Sequence, residues 1–253
     1  VNRAASSDPR TLRIAGITAL STVDWPGQLV ATVFCQGCPW RCGYCHNTSI
    51  LDPKTAGVLP WDQVLSFMNS RRGLLDGMVF SGGEATMQHA VYGAAAAVKQ
   101  MGFAVGLHTG GAYPARLADL VGCGREDMPV VVDWVGFDLK ASPSGYTSTV
   151  GRPGAWQRVR ESLGYLVTSG IDYEARMTVT PALTGQVHDV LRCAADAGVH
   201  QLVLQQARSD GAPAEFAAQL ASYARWNAAF EETVNAAKEV GSELGVRIEC
   251  RAA

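Results

Sequence analysis

From residue 28 onward the chain alternates between two textures. Short β-branched runs close on glycine or polar residues: LVATVF (29–34), GMVFSGG (77–83), FAVGLHTGG (103–111), VVVDWVGFDLK (130–140), DYEARMTVT (172–180) and HQLVLQQ (200–206). Between them apolar residues recur at helical spacing over 61–72, 87–101, 113–122, 155–170, 185–198 and the longer 214–244. Two of these segments, ending GYLVTSG and RCAADAG, stop on glycine, the usual helix terminator. Strand, helix, strand in repetition predicts right-handed crossovers and a parallel sheet. Units of roughly 35 residues allow about six of them, followed by a short last strand at VRIEC (246–250). Eight units would need a longer chain. The predicted class is therefore α/β, as an incomplete TIM-like barrel of about (β/α)6 or as an open doubly wound sheet. A single domain is expected over 1–253, with an N-terminal extension (1–27), six βα units (28–206), and C-terminal helices with the last strand (207–253).

In either architecture the chemistry sits at the carboxyl ends of the strands. Those ends read FCQGC, FSGGE, LHTGG, FDLK, MTVTP and LQQ. Turn formation explains the glycines but not Glu84, His108, Asp138, Lys140 and Gln206 together. One shared site is expected.

Composition narrows the class. Hydrophobic residues make up 47% of the 253 and charged ones 17%, and the formal net charge is −2. No basic run is present, so a nucleic-acid partner is not expected. No apolar stretch approaches the roughly 20 residues of a membrane span. The start, VNRAASSDPR, lacks an apolar signal core, which points to the cytoplasm and to reduced thiols. Cys123, Cys193 and Cys250 stand singly among apolar neighbours and are expected to be small buried hydrophobes.

The other four cysteines, Cys35, Cys38, Cys42 and Cys45, fall within FCQGCPWRCGYCHN. Read as two C-x-x-C pairs they suggest zinc, but only PWR separates the pairs, and ordinary zinc knuckles lie a dozen or more residues apart. An iron–sulfur cluster accepts ligands crowded into one loop. Two arrangements stay open on spacing. All four cysteines close the cluster of an electron carrier, or Cys38, Cys42 and Cys45 leave one iron vacant for a ligand, with Cys35 beside them.

Cys38-Pro-Trp-Arg-Cys42-Gly-Tyr-Cys45 resembles the C-x-x-x-C-x-x-C signature of radical S-adenosylmethionine (radical SAM) enzymes. TVDWPGQ (22–28), SGGEATMQ (81–88) and FDLKA (137–141) resemble segments of glycyl-radical-enzyme activating proteins. Asp24-Trp-Pro-Gly27 and the lack of a cysteine-rich insert after Cys45 are most similar to activators of anaerobic ribonucleoside-triphosphate reductase. The resemblance implies a [4Fe–4S] cluster held by Cys38, Cys42 and Cys45, and S-adenosylmethionine chelated at the fourth iron. It places Tyr44 by the adenine. Gly82, Gly83 and Glu84 fall at the methionine amino group, and Asp138 and Lys140 near the carboxylate and ribose. Thr109, Arg176, Thr178 and Gln206 are implied as further cofactor contacts, and Asp24 as a neighbour of the incoming glycine. His108 stands where relatives often carry an aspartate that helps hold a monovalent cation, so either that site is lost or a charged His108 replaces it.

The activity so implied is reductive cleavage of S-adenosylmethionine to a 5′-deoxyadenosyl radical. That radical takes a hydrogen atom from a glycine Cα of a glycyl-radical enzyme, with a flavodoxin-like electron donor. The rivals are activation of another glycyl-radical enzyme of the pyruvate formate-lyase type, a radical SAM reaction on a small molecule, and a four-cysteine electron carrier.

Overall fold

A computed structural model of the chain describes residues 7–252. Eight strands form one sheet in chain order. They are β1 (Ile14–Ser21), β2 (Val30–Cys35), β3 (Gly77–Gly82), β4 (Ala104–Thr109), β5 (Trp134–Asp138), β6 (Asp172–Val179), β7 (Gln201–Gln206) and β8 (Arg247–Arg251). All pairs from β2 to β8 are parallel, and β1 alone runs antiparallel, against β2. The barrel is incomplete, because β1 and β8 are the two ends of the strand order rather than neighbours.

The six expected βα units are present from β2 to β7. Their connections carry α1 (Trp61–Asn69), α2 (Ala90–Gln100), α3 (Pro114–Leu120), α4 (Tyr146–Val150), α5 (Ala155–Thr168) and α6 (Val187–Asp196). In α5 the buried positions are 155, 159, 162, 163 and 166, and in α6 they are 187, 190, 191 and 194, the spacing of one helix face. Both helices stop before glycines with positive φ, Gly170 and Gly198.

Three expectations needed correction. The N-terminal extension contains β1, whose residues 15–20 are half-buried or exposed, so that no alternation of apolar and polar positions announces a strand. The long segment 214–244 is two helices, α7 (Ala214–Ala221) and α8 (Trp226–Leu244). The chain turns between them to bury Trp226, whose indole N–H donates to the Ala207 carbonyl at 3.0 Å. Of the three isolated cysteines none is fully buried, and Cys250 is exposed on the edge strand β8.

Strand alternation divides the barrel wall into two faces. Phe80, Leu107, Phe137, Met177 and Leu204 point outward into the main core with the helices. On the inner face, Val30, Val79 and Trp134 form a second, smaller core with Trp25. The Trp25 ring stacks on Trp134 at 5.4 Å, and its edge fills the space a side chain at Gly106 would need. The segment before β2 therefore folds back as a floor inside the barrel, and the polar inner residues lie above it.

No helix among the described residues is long and apolar enough to cross a membrane.

Candidate active site

A cavity of about 590 Å³ opens over the carboxyl ends of β2 to β7. The strand-end residues singled out in the sequence all stand on its wall: Asp24, Cys38, Cys42, Tyr44, Cys45, Gly82, Gly83, Glu84, Thr109, Asp138, Lys140, Arg176, Thr178 and Gln206. The cavity reaches both ends of the sheet, touching Val23 and Asp24 beside β1 and Arg251 and Ala252 at β8.

The four clustered cysteines separate three to one. Cys35 is the last residue of β2 and faces outward with Ala31 and Val33 into the main core, fully buried and off the cavity wall. Burial, helped by the nearby Glu84 charge, pushes its thiol up to about 12. Cys38, Cys42 and Cys45 face the cavity. Burial also raises the first two, Cys38 to about 12, with Lys140 opposing the shift at Cys42. Burial thus favours the protonated thiol at Cys38 and Cys42.

Their loop is held before any ligand arrives. Gly37 and Cys38 donate to the carbonyls of Ile50 and Leu51, and Arg41 donates to the Cys38 and Trp40 carbonyls at 2.9 and 2.8 Å. Trp40 is buried edge-on against Tyr146.

Glycine at 82 and 83 is required by packing within the protein itself. A Cβ on Gly82, at φ +111°, would lie 2.3 Å from the Cys35 nitrogen, and one on Gly83 would lie 2.3 Å from the Gly37 carbonyl. The turn after β3 is pressed against the backbone of the cysteine loop, and the missing side chains permit that contact.

Glu84 is likewise turned into the protein. Its Oε1 accepts from the Thr86 N–H, the Thr86 hydroxyl and the Thr109 hydroxyl, and its Oε2 from the Gly110 N–H. Burial raises its pKa while these donors oppose the shift. The carboxylate ties the loop after β3 to the end of β4, so Thr109 and Glu84 serve each other here.

Asp138, Lys140 and Arg176 form a charged group on the opposite wall. Asp138 meets Arg176 Nη2 at 2.9 Å and Lys140 Nζ at 3.4 Å. Burial works against the Asp138 charge, but Arg176 and Lys140 outweigh it and hold the carboxyl down to about 2. Burial also works against the Lys140 charge, and Asp138 overcomes it, leaving the ammonium more basic than usual. Elsewhere on the wall, the Asp24 carboxylate accepts from the Thr32 hydroxyl at 2.6 Å, and Gln206 donates to Asn227.

His108 is not a substitute cation. Burial first, then Arg176, lowers it to about 4, so the ring is neutral near pH 7. Nε2 lies 2.7 Å from the Asp24 carbonyl, which requires N–H there, and leaves Nδ1 to accept from the Ser81 hydroxyl at 3.3 Å. Among the described residues no three His, Cys, Asp or Glu side chains gather as a single bound ion requires. The unfolded chain binds this proton more tightly, so stability should fall as pH drops from about 6.5 toward 4. His108→Gln should remove about 2 to 3 kcal/mol of the loss between pH 7 and 4.5, read from urea midpoints at each pH.

Sequence reasoning missed Val23, Trp25, Trp40 and Arg251. Trp25 and Trp40 lay within quoted motifs, but their burial depends on partners more than a hundred residues away.

Comparison with known proteins bears on the family and the fold. A radical SAM superfamily model matches residues 32–194. Over 197 residues, 75% of this chain and 78% of the relative, the sequence is 26% identical to a protein of Methanocaldococcus jannaschii named as a candidate glycyl-radical enzyme activating enzyme (MJ1227). It is 35% identical over 80 residues, 30% of this chain and 33% of the relative, to the pyruvate formate-lyase-activating enzyme of Clostridium pasteurianum. Among solved structures, SuiB of Streptococcus suis bound to S-adenosylmethionine superposes with a TM-score of 0.60 at 11% identity. That match covers 86% of this chain and 48% of SuiB, so the chain spans about half of SuiB's length, and the likeness is one of fold. The matched family region contains the three-cysteine loop, the Gly82–Glu84 turn and the strands bearing Asp138 and Arg176, and this chain belongs to the radical SAM superfamily.

Proposed function

We propose that this protein is a cytoplasmic radical SAM activase that takes a hydrogen atom from the Cα of a glycine in a partner protein. The observation that carries the reading is the three-to-one division of the cysteines at the cavity. Three thiols on one wall suit a [4Fe–4S] cluster with an iron left for a second ligand, and a buried Cys35 leaves the fourth position without a protein donor. The resemblance of the relatives' names and of Asp24-Trp-Pro-Gly27 supports a glycyl-radical enzyme as substrate. Anaerobic ribonucleoside-triphosphate reductase is the partner we favour, with a flavodoxin-like protein as electron donor.

The residues present fit these groups. Cys38, Cys42 and Cys45 would hold the cluster. Around them the cavity offers a cation, Lys140, for a carboxylate, and an anion, Asp138, for an ammonium group. The Tyr44 hydroxyl is buried on the same wall with no hydrogen-bond partner, as expected of a group that waits for a ligand. When bound, cluster and S-adenosylmethionine together supply the one-electron chemistry that a side chain cannot. The chain itself orients and encloses. The Trp25–Trp134 floor excludes water from below, the Asp138–Arg176 pair fixes one wall, and the unpaired side between β1 and β8 is where a polypeptide would enter.

Anaerobically reconstituted protein with dithionite should cleave S-adenosylmethionine to 5′-deoxyadenosine and methionine. With a partner labelled by α-deuterated glycine, deuterium should appear in the 5′-deoxyadenosine. Cleavage that yields a modified small molecule and never draws deuterium from a protein would overturn the reading.

A further inference from the structure

The two edges of the open barrel are built differently. β8 reads RIECR and presents Arg247, Glu249 and Arg251 at alternate positions, a charged edge of the kind that discourages pairing with other chains. β1 reads IAGITALS, with no charge and no proline. Its strand partner is β2 on one side. On the other, the chain at 58–59 covers its beginning, where Val58 and Leu59 both donate to the Ile14 carbonyl. Thr18, Ala19 and Leu20 are exposed. The apolar surface continues from Leu20, 58% exposed, to Val23, 77% exposed, and Val23 and Asp24 line the cavity. An unprotected strand edge thus runs directly to the site.

We propose that β1 is the docking strand for the polypeptide substrate: an extended segment of the partner pairs along Ile17–Leu20, and its glycine passes Val23 and Asp24 into the cavity. The occupant's identity rests on the activase reading, in which the reacting group is a glycine within a protein chain. Main-chain pairing suits such a target, because glycine offers no side chain to grip and its amides remain free to bond. β1 runs from Ile14, beside Cys35 at the rim, down to Ser21, beside Val30, and its register irregularities at 14–16 and 18–21 increase the local twist just before the chain turns in to Val23 and Asp24 on the cavity wall. Leu20 and Val23 give apolar contact to the segment's alternating side chains, and the lack of charge on β1 demands none in return. A second copy of this chain pairing edge to edge is the competing occupant.

The test uses the whole protein and a designed probe, the end-capped peptide Thr-Val-Thr-Gly-Val-Thr-Lys, alongside the same peptide N-methylated at alternate residues to block strand pairing. Hydrogen–deuterium exchange is followed with and without cluster and cofactor. At about ten times its Kd, the unmethylated peptide should slow exchange in 17–20 about tenfold, and the methylated one should not. Equal effects of the two peptides, protection at β8 instead, or no protection would each overturn the proposal. So would a dimer whose β1 amides are already protected without peptide. Deuterium transfer from an α-deuterated peptide glycine is scored separately. Its absence despite β1 protection would count against the activase reading and leave the docking strand standing.

Discussion

Cys42→Ala should leave anaerobically reconstituted protein without a stable four-iron cluster and without dithionite-dependent cleavage of S-adenosylmethionine, whereas Cys35→Ala should keep both. The four cysteines look equivalent in the sequence and are opposed in the structure. Cys42 lines the cavity within a loop pinned by Arg41 and by its own Cys45 N–H bond, so removing its sulfur deletes a donor that nothing nearby replaces. Cys35 faces the apolar core, and its loss creates only a small void, costing about 1 to 2 kcal/mol. Iron content and the charge-transfer absorbance give the first readout, and 5′-deoxyadenosine yield the second. A cluster that survives Cys42→Ala, or one lost with Cys35→Ala in folded protein, would return the chain to the four-cysteine class of electron carriers.

Glu84→Ala should lower the melting temperature by about 10 °C and weaken cofactor binding through the same disturbance. The buried carboxylate satisfies two backbone N–H groups, of Thr86 and Gly110, and two hydroxyls. The hydroxyls can turn to other acceptors, but the two N–H groups cannot. At about 1 to 3 kcal/mol for each orphaned buried donor the loss is about 4 kcal/mol, and a domain of this size loses about 2 to 4 °C per kcal/mol. Glu84→Gln does not rescue it, because its amide nitrogen must face a donor in either orientation. Thr109→Val, which removes one hydroxyl donor to Glu84 and leaves the Gly111 N–H without its acceptor, should cost about 2 to 3 kcal/mol. An alanine variant that melts within a degree or two of the parent, yet fails to bind S-adenosylmethionine, would make Glu84 a direct ligand contact instead of a tie between loops.

Much of this layout is legible along the chain. The six parallel units follow from alternating strand and helix textures, because one-face burial leaves period-two and helical-period signatures in local sequence. The polar strand ends were likewise visible, because parallel units bring their carboxyl ends to one rim. β1 left no such trace. Its residues at 18–20 are exposed, so no apolar alternation marks it. The division of 214–244 into two helices depends on where Trp226 finds its core and its acceptor, Ala207. That is a contact across nineteen residues with no local signal.

At the site, residue identity and residue role part in the same way. Spacing within the chain pointed to a metal cluster in FCQGCPWRCGYCHN and to glycine and acidic groups crowding the rim, since chemistry at short separation is written in short segments. Only the tertiary structure decided which way each group faces. Strand parity sends Cys35 outward and Thr32 inward, toward Asp24. Contacts between strand ends engage the Glu84 carboxylate at the cavity wall, and burial with the Arg176 charge keeps His108 neutral. Direction and electrostatic environment are sums over neighbours far apart in the chain, and the chain closes those distances only when it folds.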